Sequence, residues 1–436
     1  MLAEVTAKKR SQVVDLLLHV ATLLGVESDR ELADLAGVSV DNVDNWKSGA
    51  SQELKGQTLT ALKDGLAARV RALRERARVV ESELGLVGVE IEELSGPGAM
   101  QRQFHDRLAY DYLGHRFLYF EPQGALAWEN LMKGGYDQRC WLLGAEQCAA
   151  QFMETSRDGP VGPLAKALGL RRGPARGLDF ISLGPGEASK EALILQQIVA
   201  EEERSQQKLA WLAPALVDVS VPLLLKGAKA CRAALAGRDA AVLAFCADFE
   251  EGPLSFLHRL NDGGVRVVAM LGNVFGNVRD EEVLLRERLP RVLRPGDFLW
   301  LEVATRLERL EDDPLYSMTK NPDGELTAPE ANRRLLLEGP YRRWEAASGR
   351  RPSEIVTRVF LRTDDESTRV PGSINYCHDL VFKEERRACT MLYSRRYDLA
   401  ALRTWLERWD YDVEAVVPVE DSMKRARVAH VLARKR

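Results

Sequence analysis

The most regular pattern in the chain is a relay of short apolar runs and helical segments that fills its second half. Leu178-Asp-Phe-Ile-Ser-Leu183 stops abruptly at Gly184-Pro185-Gly186, and a helical pattern over 188–202 follows at once. Such a run, bounded by a Gly-Pro-Gly turn, reads as a buried strand that feeds a helix N-terminus. The unit recurs. Further strands are predicted at 210–220, 240–248, 265–273 and 297–303, then a helix at 398–409 and strands at 411–418 and 426–433. Ser220 is placed to cap the helix after the second strand. Apolar strands alternating with helices predict a parallel sheet covered on both faces.

The first third has a different periodicity. Leu32, Leu35, Ala36, Val40, Val43 and Trp46 form one apolar set across two short helices, with a turn at Gly37 between them and Ser28 and Ser39 as natural N-caps. The layout resembles the repressor-type helix-turn-helix domains of phage and bacterial regulators, including the ending Trp46-Lys47-Ser48-Gly49. Its presumed reading helix carries Asp41 and Asp44 against a single Lys47. A net-acidic head attracts phosphate poorly, so the charge disfavours DNA, although Asn42 and Asn45 suit base edges. Docking of a protein partner is the other reading. Over 58–84, Leu62, Leu66, Val70, Leu73, Ala77, Val80 and Leu84 recur at alternating three- and four-residue steps. That is an a/d seam, so either a homodimeric coiled coil or a helix packed on its own chain is expected. Ser95-Gly-Pro-Gly98 then breaks the chain as a linker. The segment from Tyr110 to Trp141 is helical and rich in aromatic residues.

Composition narrows the classes. The chain has 436 residues, 45% apolar and 29% charged, with a net charge of -4. That is long enough for two or three domains and does not describe a polyanion binder. No apolar run approaches the roughly 18 residues that span a bilayer. The N-terminus lacks the charge-then-apolar order of a signal peptide, so a cytoplasmic protein without membrane contact is expected. The six cysteines form no CxxC pair and the six histidines show no ligand spacing, so no metal site is expected.

Candidate chemistry lies where the apolar runs stop. Ligands of an open α/β sheet bind at the carboxyl ends of its strands. Gly184, Pro185 and Gly186 end the first, Asp218 the second, Asp248 and Phe249 the third, and Gly272 and Asn273 the fourth. Glycines admit close backbone approach, an acid after the second strand suits ribose hydroxyls, and an acid beside an aromatic ring after the third suits adenine. A Rossmann dehydrogenase would carry Gly-x-Gly-x-x-Gly, but Ser189 stands at the third position.

The order resembles a class I S-adenosylmethionine-dependent methyltransferase, and specifically the histidine-specific methyltransferases of ergothioneine biosynthesis. Leu183-Gly-Pro-Gly186-Glu-Ala-Ser-Lys190 is similar to their first motif, with its Lys at the helix start. Asp218-Val-Ser220, Asp248-Phe249, Leu271-Gly-Asn-Val-Phe-Gly276-Asn277, Leu293-Arg-Pro-Gly-Asp297 and Ser394-Arg-Arg-Tyr397 match later motifs in order. The resemblance implies an S-adenosyl-L-methionine site at Gly184, Pro185, Gly186, Lys190, Asp218, Asp248, Phe249, Gly272 and Asn273. It implies acceptor contacts at Asn277, Tyr316 and Ser394. Leu392 stands where the family has an imidazole-recognising glutamate, so the acceptor is expected to be a small molecule or a peptide or amino-acid side chain rather than histidine. Tyr112, Tyr316 and Glu302 are equal candidates to assist the chemistry, and the catalytic residues stay unassigned. A regulator that senses the cofactor without turnover is the alternative. The implied fold is a seven-stranded Rossmann-like core behind an all-α helix-turn-helix domain and a helical linker. The implied divisions are 1–66, the helix-turn-helix; 67–100, the long helix and linker; and 101–175, a helical lid. The cofactor core at 176–310, an acceptor-side insertion at 311–395 and the closing helix and strands at 396–436 follow.

Overall fold

A computed structural model of the chain describes residues 28–48, most of 57–68, and 89–436 apart from short gaps, 320–338 and 341–354. It divides into two compact units, Met1–Leu86 and Val87–Arg436.

In the first unit, α1 (Asp29–Ala36) and α2 (Val40–Lys47) meet at Gly37, whose φ of 64° takes the left-handed conformation that stops α1. The Ser28 hydroxyl accepts the Glu31 N–H at 3.2 Å. Ser39 stands at the cap of α2 but makes no side-chain cap bond. Leu32, Val43 and Trp46 are buried with Leu62 and Leu66, whereas Val40, expected among them, is exposed. Leu62 and Leu66 therefore pack within this unit, and the rest of the seam, Val70 to Leu84, lies outside the described residues. The Lys47 ammonium pairs with Asp29, so the one basic residue of α2 is already engaged.

The second unit opens with β1 (Glu90–Ile91), then α3 (Pro97–Arg107), α4 (Arg116–Tyr119), α5 (Pro122–Lys133), α6 (Gln138–Met153) and α7 (Pro163–Leu168). The relay follows as β2 (Leu178–Leu183), α8 (Ser189–Ser205), β3 (Leu212–Asp218), α9 (Val221–Ala234), β4 (Leu243–Cys246), β5 (Val265–Met270), α10 (Val274–Asn277) and β6 (Phe298–Ala304). Three strands that the sequence reading did not foresee come next: β7 (Ile355–Arg362), β8 (Ile374–Phe382) and β9 (Arg387–Arg396). The chain closes with α11 (Leu399–Arg408), β10 (Tyr411–Glu420) and β11 (Ala426–Lys435).

The main sheet has eight strands in the order β1-β4-β3-β2-β5-β6-β11-β10. All neighbours from β1 to β6 pair in parallel, and β11 runs antiparallel between β6 and β10. Without β1 this is the seven-stranded arrangement implied by the resemblance. Every residue of β2, β5 and β6 is buried, as continuous apolar runs covered on both faces require. Helices α6, α8 and α9 supply one cover. The segment after β4, the turn of 284–293 and α11 supply the other. The chain leaves central β2 for β3 on one side, while β5 pairs with its other side, which creates a crevice at the carboxyl ends.

Two expectations are corrected. The stretch 67–100, read as a long helix and linker, contributes β1, whose Glu90 and Ile91 pair with Phe245 and Cys246. Ser220 takes the cap position of α9, but its hydroxyl makes no cap bond and is buried without a partner. Residues within 311–395 form the separate antiparallel sheet β7-β8-β9, joined to the core where Thr305 bridges Tyr397. Among the described residues no helix is long and apolar enough to cross a membrane.

Candidate functional site

The glycine loop between β2 and α8 turns tightly. Gly186 has a φ of 57°, a backbone conformation that favours glycine, and a Cβ there would press on Trp128 Nε1 at 3.3 Å. The Gly186 N–H donates to one carboxylate oxygen of Asp218 at 3.2 Å, and the Ser220 N–H donates to the other at 2.9 Å. The acid at the end of β3 thus fastens the loop at the end of β2. Burial pushes Asp218 up to about 6, against the opposing pull of those N–H donors.

These groups border a cavity of about 160 Å³ at the carboxyl ends of the strands. Gly184, Pro185, Gly186 and Lys190 form one side, and Asp218, Gly272 and Asn277 continue it. His115, Tyr119, Trp128 and Trp141 cover it from the helical segment that precedes β2. Tyr119 and Trp128 meet edge to face at 5.7 Å.

A buried polar chain holds Lys190 in place. Its ammonium lies 2.7 Å from Glu302 on β6 and 5.0 Å from the Trp141 ring centre. Glu302 is fully buried and also accepts the Gly272 N–H. His430 Nε2 stands 3.3 Å from the same carboxylate, and Trp300 Nε1 donates to His430 Nδ1 at 2.9 Å. Burial alone would raise Glu302, but Lys190 and His430 outweigh it and hold the carboxyl down at about 2. One carboxylate thereby fixes both the lysine of α8 and the glycine after β5. Gly272, with a φ of 73°, is crowded in turn: a Cβ there would stand 2.8 Å from the Lys190 ammonium.

His115 connects the cover to the sheet. Its Nδ1 lies 3.1 Å from Glu250. Burial lowers its pKa, although the Asp248 and Asp218 charges oppose that, so the ring is neutral near pH 7.

Of the residues expected at the site, Gly184, Pro185, Gly186, Lys190, Asp218, Gly272 and Asn277 line the cavity. The others do not, and each has a structural reason. The Asp248 carboxylate is taken by Arg116 and by the Glu250 N–H at 3.0 Å. Phe249 stands behind the glycine loop, 3.7 Å from where a Cβ on Gly184 would be. The Asn273 side chain accepts the Ala304 N–H at 2.9 Å and donates to the Arg395 carbonyl at 3.3 Å, which ties β6 to β9. Tyr316 packs in the small cluster of Val359, Ile374 and Tyr376. The Ser394 hydroxyl accepts from Arg396 at 2.9 Å. Tyr112 stacks on Tyr393 at 5.2 Å and lies outside the cavity wall. Sequence reasoning missed His115, Tyr119, Trp128 and Trp141. The aromatic density of the segment was visible, but which rings point inward was not.

Residues 165–306 match the model of the histidine-specific, S-adenosylmethionine-dependent methyltransferases. The cofactor that goes with this match is S-adenosylmethionine. The match spans about a third of the chain, from within α7 to just past β6. No curated protein matches the chain. Among solved structures, it is similar to the CcbJ methyltransferase of Streptomyces caelestis, with 15% identity, 67% of this chain and 95% of that one covered, and a TM-score of 0.31. It is also similar to the 1,6-didemethyltoxoflavin-N1-methyltransferase of Burkholderia thailandensis, with 13% identity, 71% and 87% covered, and a TM-score of 0.33. The magnesium protoporphyrin IX methyltransferase of Synechocystis PCC 6803 gives 13% identity, 73% and 97% covered, and a TM-score of 0.35.

The residues present fit the cofactor. The glycine loop leaves room for a ligand's backbone approach, Asp218 offers a carboxylate to hydroxyl donors, and Lys190 offers a cation to a carboxylate. The aromatic cover, with Asp218 and Glu187 nearby, suits a sulfonium charge.

Proposed function

We propose that the chain methylates a nitrogen of a small molecule or of a peptide or amino-acid side chain, using S-adenosylmethionine held in the cavity between Gly184 and Asn277. The observation that supports this most is the convergence of Gly186, Asp218, Lys190 and Gly272 on one cavity beneath an aromatic cover. Asp218 would take the ribose hydroxyls and Lys190 the amino-acid carboxylate. Bound there, the cofactor supplies a methyl group on a sulfonium, activated for in-line displacement.

What the chain itself must do is align the acceptor and exclude water. Tyr119, Trp128 and Trp141 exclude water from above. Asn277 stands at the wall where an acceptor would enter, with its amide donating to the Tyr393 carbonyl at 2.8 Å. A neutral His115 beside the acceptor adds no charge that would repel an amine. Leu392, where the family has its glutamate, supports an acceptor other than histidine.

A second reading keeps the cofactor and removes the turnover: a helix-turn-helix regulator whose second unit senses S-adenosylmethionine. The placement of Tyr316 and Ser394 away from the cavity favours it. Incubating the protein with methyl-labelled S-adenosylmethionine and a cell extract separates the two. Label transferred by the parent and lost in Asp218→Ala supports the enzyme. Tight cofactor binding with no label transferred to any extract component supports the sensor.

A further inference from the structure

On the other side of His115 lies a cleft of about 480 Å³, bordered by Glu250, Glu251, Arg279, Glu281, Arg288 and Tyr393. Its charges do not balance. Glu281 faces the Arg395 guanidinium at 3.1 Å, Asp280 faces Arg369 at 3.1 Å, and Glu251 pairs with Arg107 and Arg116. Glu250 accepts the Arg279 main-chain N–H at 2.8 Å, and burial with the adjacent Asp248 charge pushes it up to about 8, so it is mostly protonated near neutral pH. Two cations are left over. The Arg279 guanidinium lies over the Tyr112 ring at 5.1 Å and makes no ion pair among the described residues. Arg288 makes none either, and its Nε is buried with no hydrogen-bond partner.

A buried donor left unmade is uncommon in a folded protein. A guanidinium fork matches the two oxygens of a carboxylate or phosphate, and two forks bordering one cleft match a single oxyanion. We propose that this cleft binds the oxyanion of a small molecule, a carboxylate or phosphate held by Arg279 and Arg288 with the Tyr393 hydroxyl as a further donor. The cleft adjoins the cofactor cavity through two contacts, His115 to Glu250 at 3.1 Å and the Asn277 amide to the Tyr393 carbonyl at 2.8 Å. An anion bound here stands directly behind the cofactor wall. The assignment does not depend on methyl transfer.

The test is a calorimetric titration of the full chain with inorganic phosphate and, separately, with glutarate, at constant ionic strength. The parent should bind at least one of them saturably, and the preferred anion names the source as phosphate or carboxylate. Arg279→Gln with Arg288→Gln should weaken that binding by about tenfold or more, the loss of charge-assisted hydrogen bonds. Arg403→Gln, at an exposed guanidinium of α11 that does not border the cleft, should leave it unchanged. Arg288→Lys, which keeps the charge without the fork, should fall between. Unchanged unfolding temperatures without anion, and unchanged S-adenosylmethionine affinity, show that the variants are folded and separate this result from the cofactor reading. No saturable binding of either anion by the parent, or equal binding by the double variant, overturns the proposal.

Discussion

Asp218 works in two directions at once. Its oxygens accept the Gly186 and Ser220 N–H groups, and its face lines the cavity. Asp218→Ala should therefore weaken S-adenosylmethionine binding by about 1–3 kcal/mol, the cost of hydrogen bonds left unmade. The sign of its pH dependence follows from burial. Hydroxyl donors favour the ionised carboxylate, and Asp218 is held up at about 6. Affinity should fall as pH drops through about 6, and Asp218→Asn should remove that step; an equal step in the variant would assign it elsewhere. Glu302 behaves oppositely, because its carboxyl is held down at about 2 and stays ionised wherever the fold is stable. Glu302→Gln strands the Lys190 ammonium and should lower stability by about 3–5 kcal/mol in denaturant unfolding. Gly184, Gly186, Asp218 and Gly272 were legible because each stands where an apolar run stops, and Lys190 and Asn277 through the family resemblance. Asp248 stands there too, but Arg116 draws its carboxylate away, and no local pattern reports a partner 132 residues distant.

At the scale of elements, the relay of strands was legible because its central strands β2, β5 and β6 are buried on both faces and read as apolar runs. Two kinds of element were not. β9 mixes polar and apolar residues along a half-buried face, and β7, at the opposite edge of the same small sheet, resembles it, so neither announces itself. β1 has two residues, too few for any periodicity. Yet β1 and Ser95 brace the edge beside Asp248: the Glu92 N–H donates to Cys246 at 2.9 Å and the Asp248 N–H to the Ser95 hydroxyl at 3.1 Å. Truncation should expose the difference. Removing residues 1–86 should leave the second unit's unfolding temperature and cofactor affinity unchanged. Removing 1–95 should lower both, and equal behaviour of the two truncations in thermal unfolding would show that β1 contributes nothing.

At the scale of the whole molecule, two compact units carry two separable questions. Assembly is the first. Leu62 and Leu66 are spent inside the N-terminal unit, so only the later seam positions test a coiled coil. If the seam makes a dimer, Leu73→Asp with Val80→Asp should yield monomers in light scattering, because it puts charge into a buried interface. An unchanged mass would mean that the segment packs elsewhere. The second question is whether the second unit holds S-adenosylmethionine where the glycine loop, Asp218 and Lys190 converge. The most direct test is a calorimetric titration of S-adenosylmethionine into the parent protein and into Gly186→Val. A side chain at residue 186 must adopt a left-handed backbone and displace Trp128. The account predicts saturable binding to the parent and none to a folded Gly186→Val. A parent that does not bind, or a variant that binds as the parent does, would contradict it.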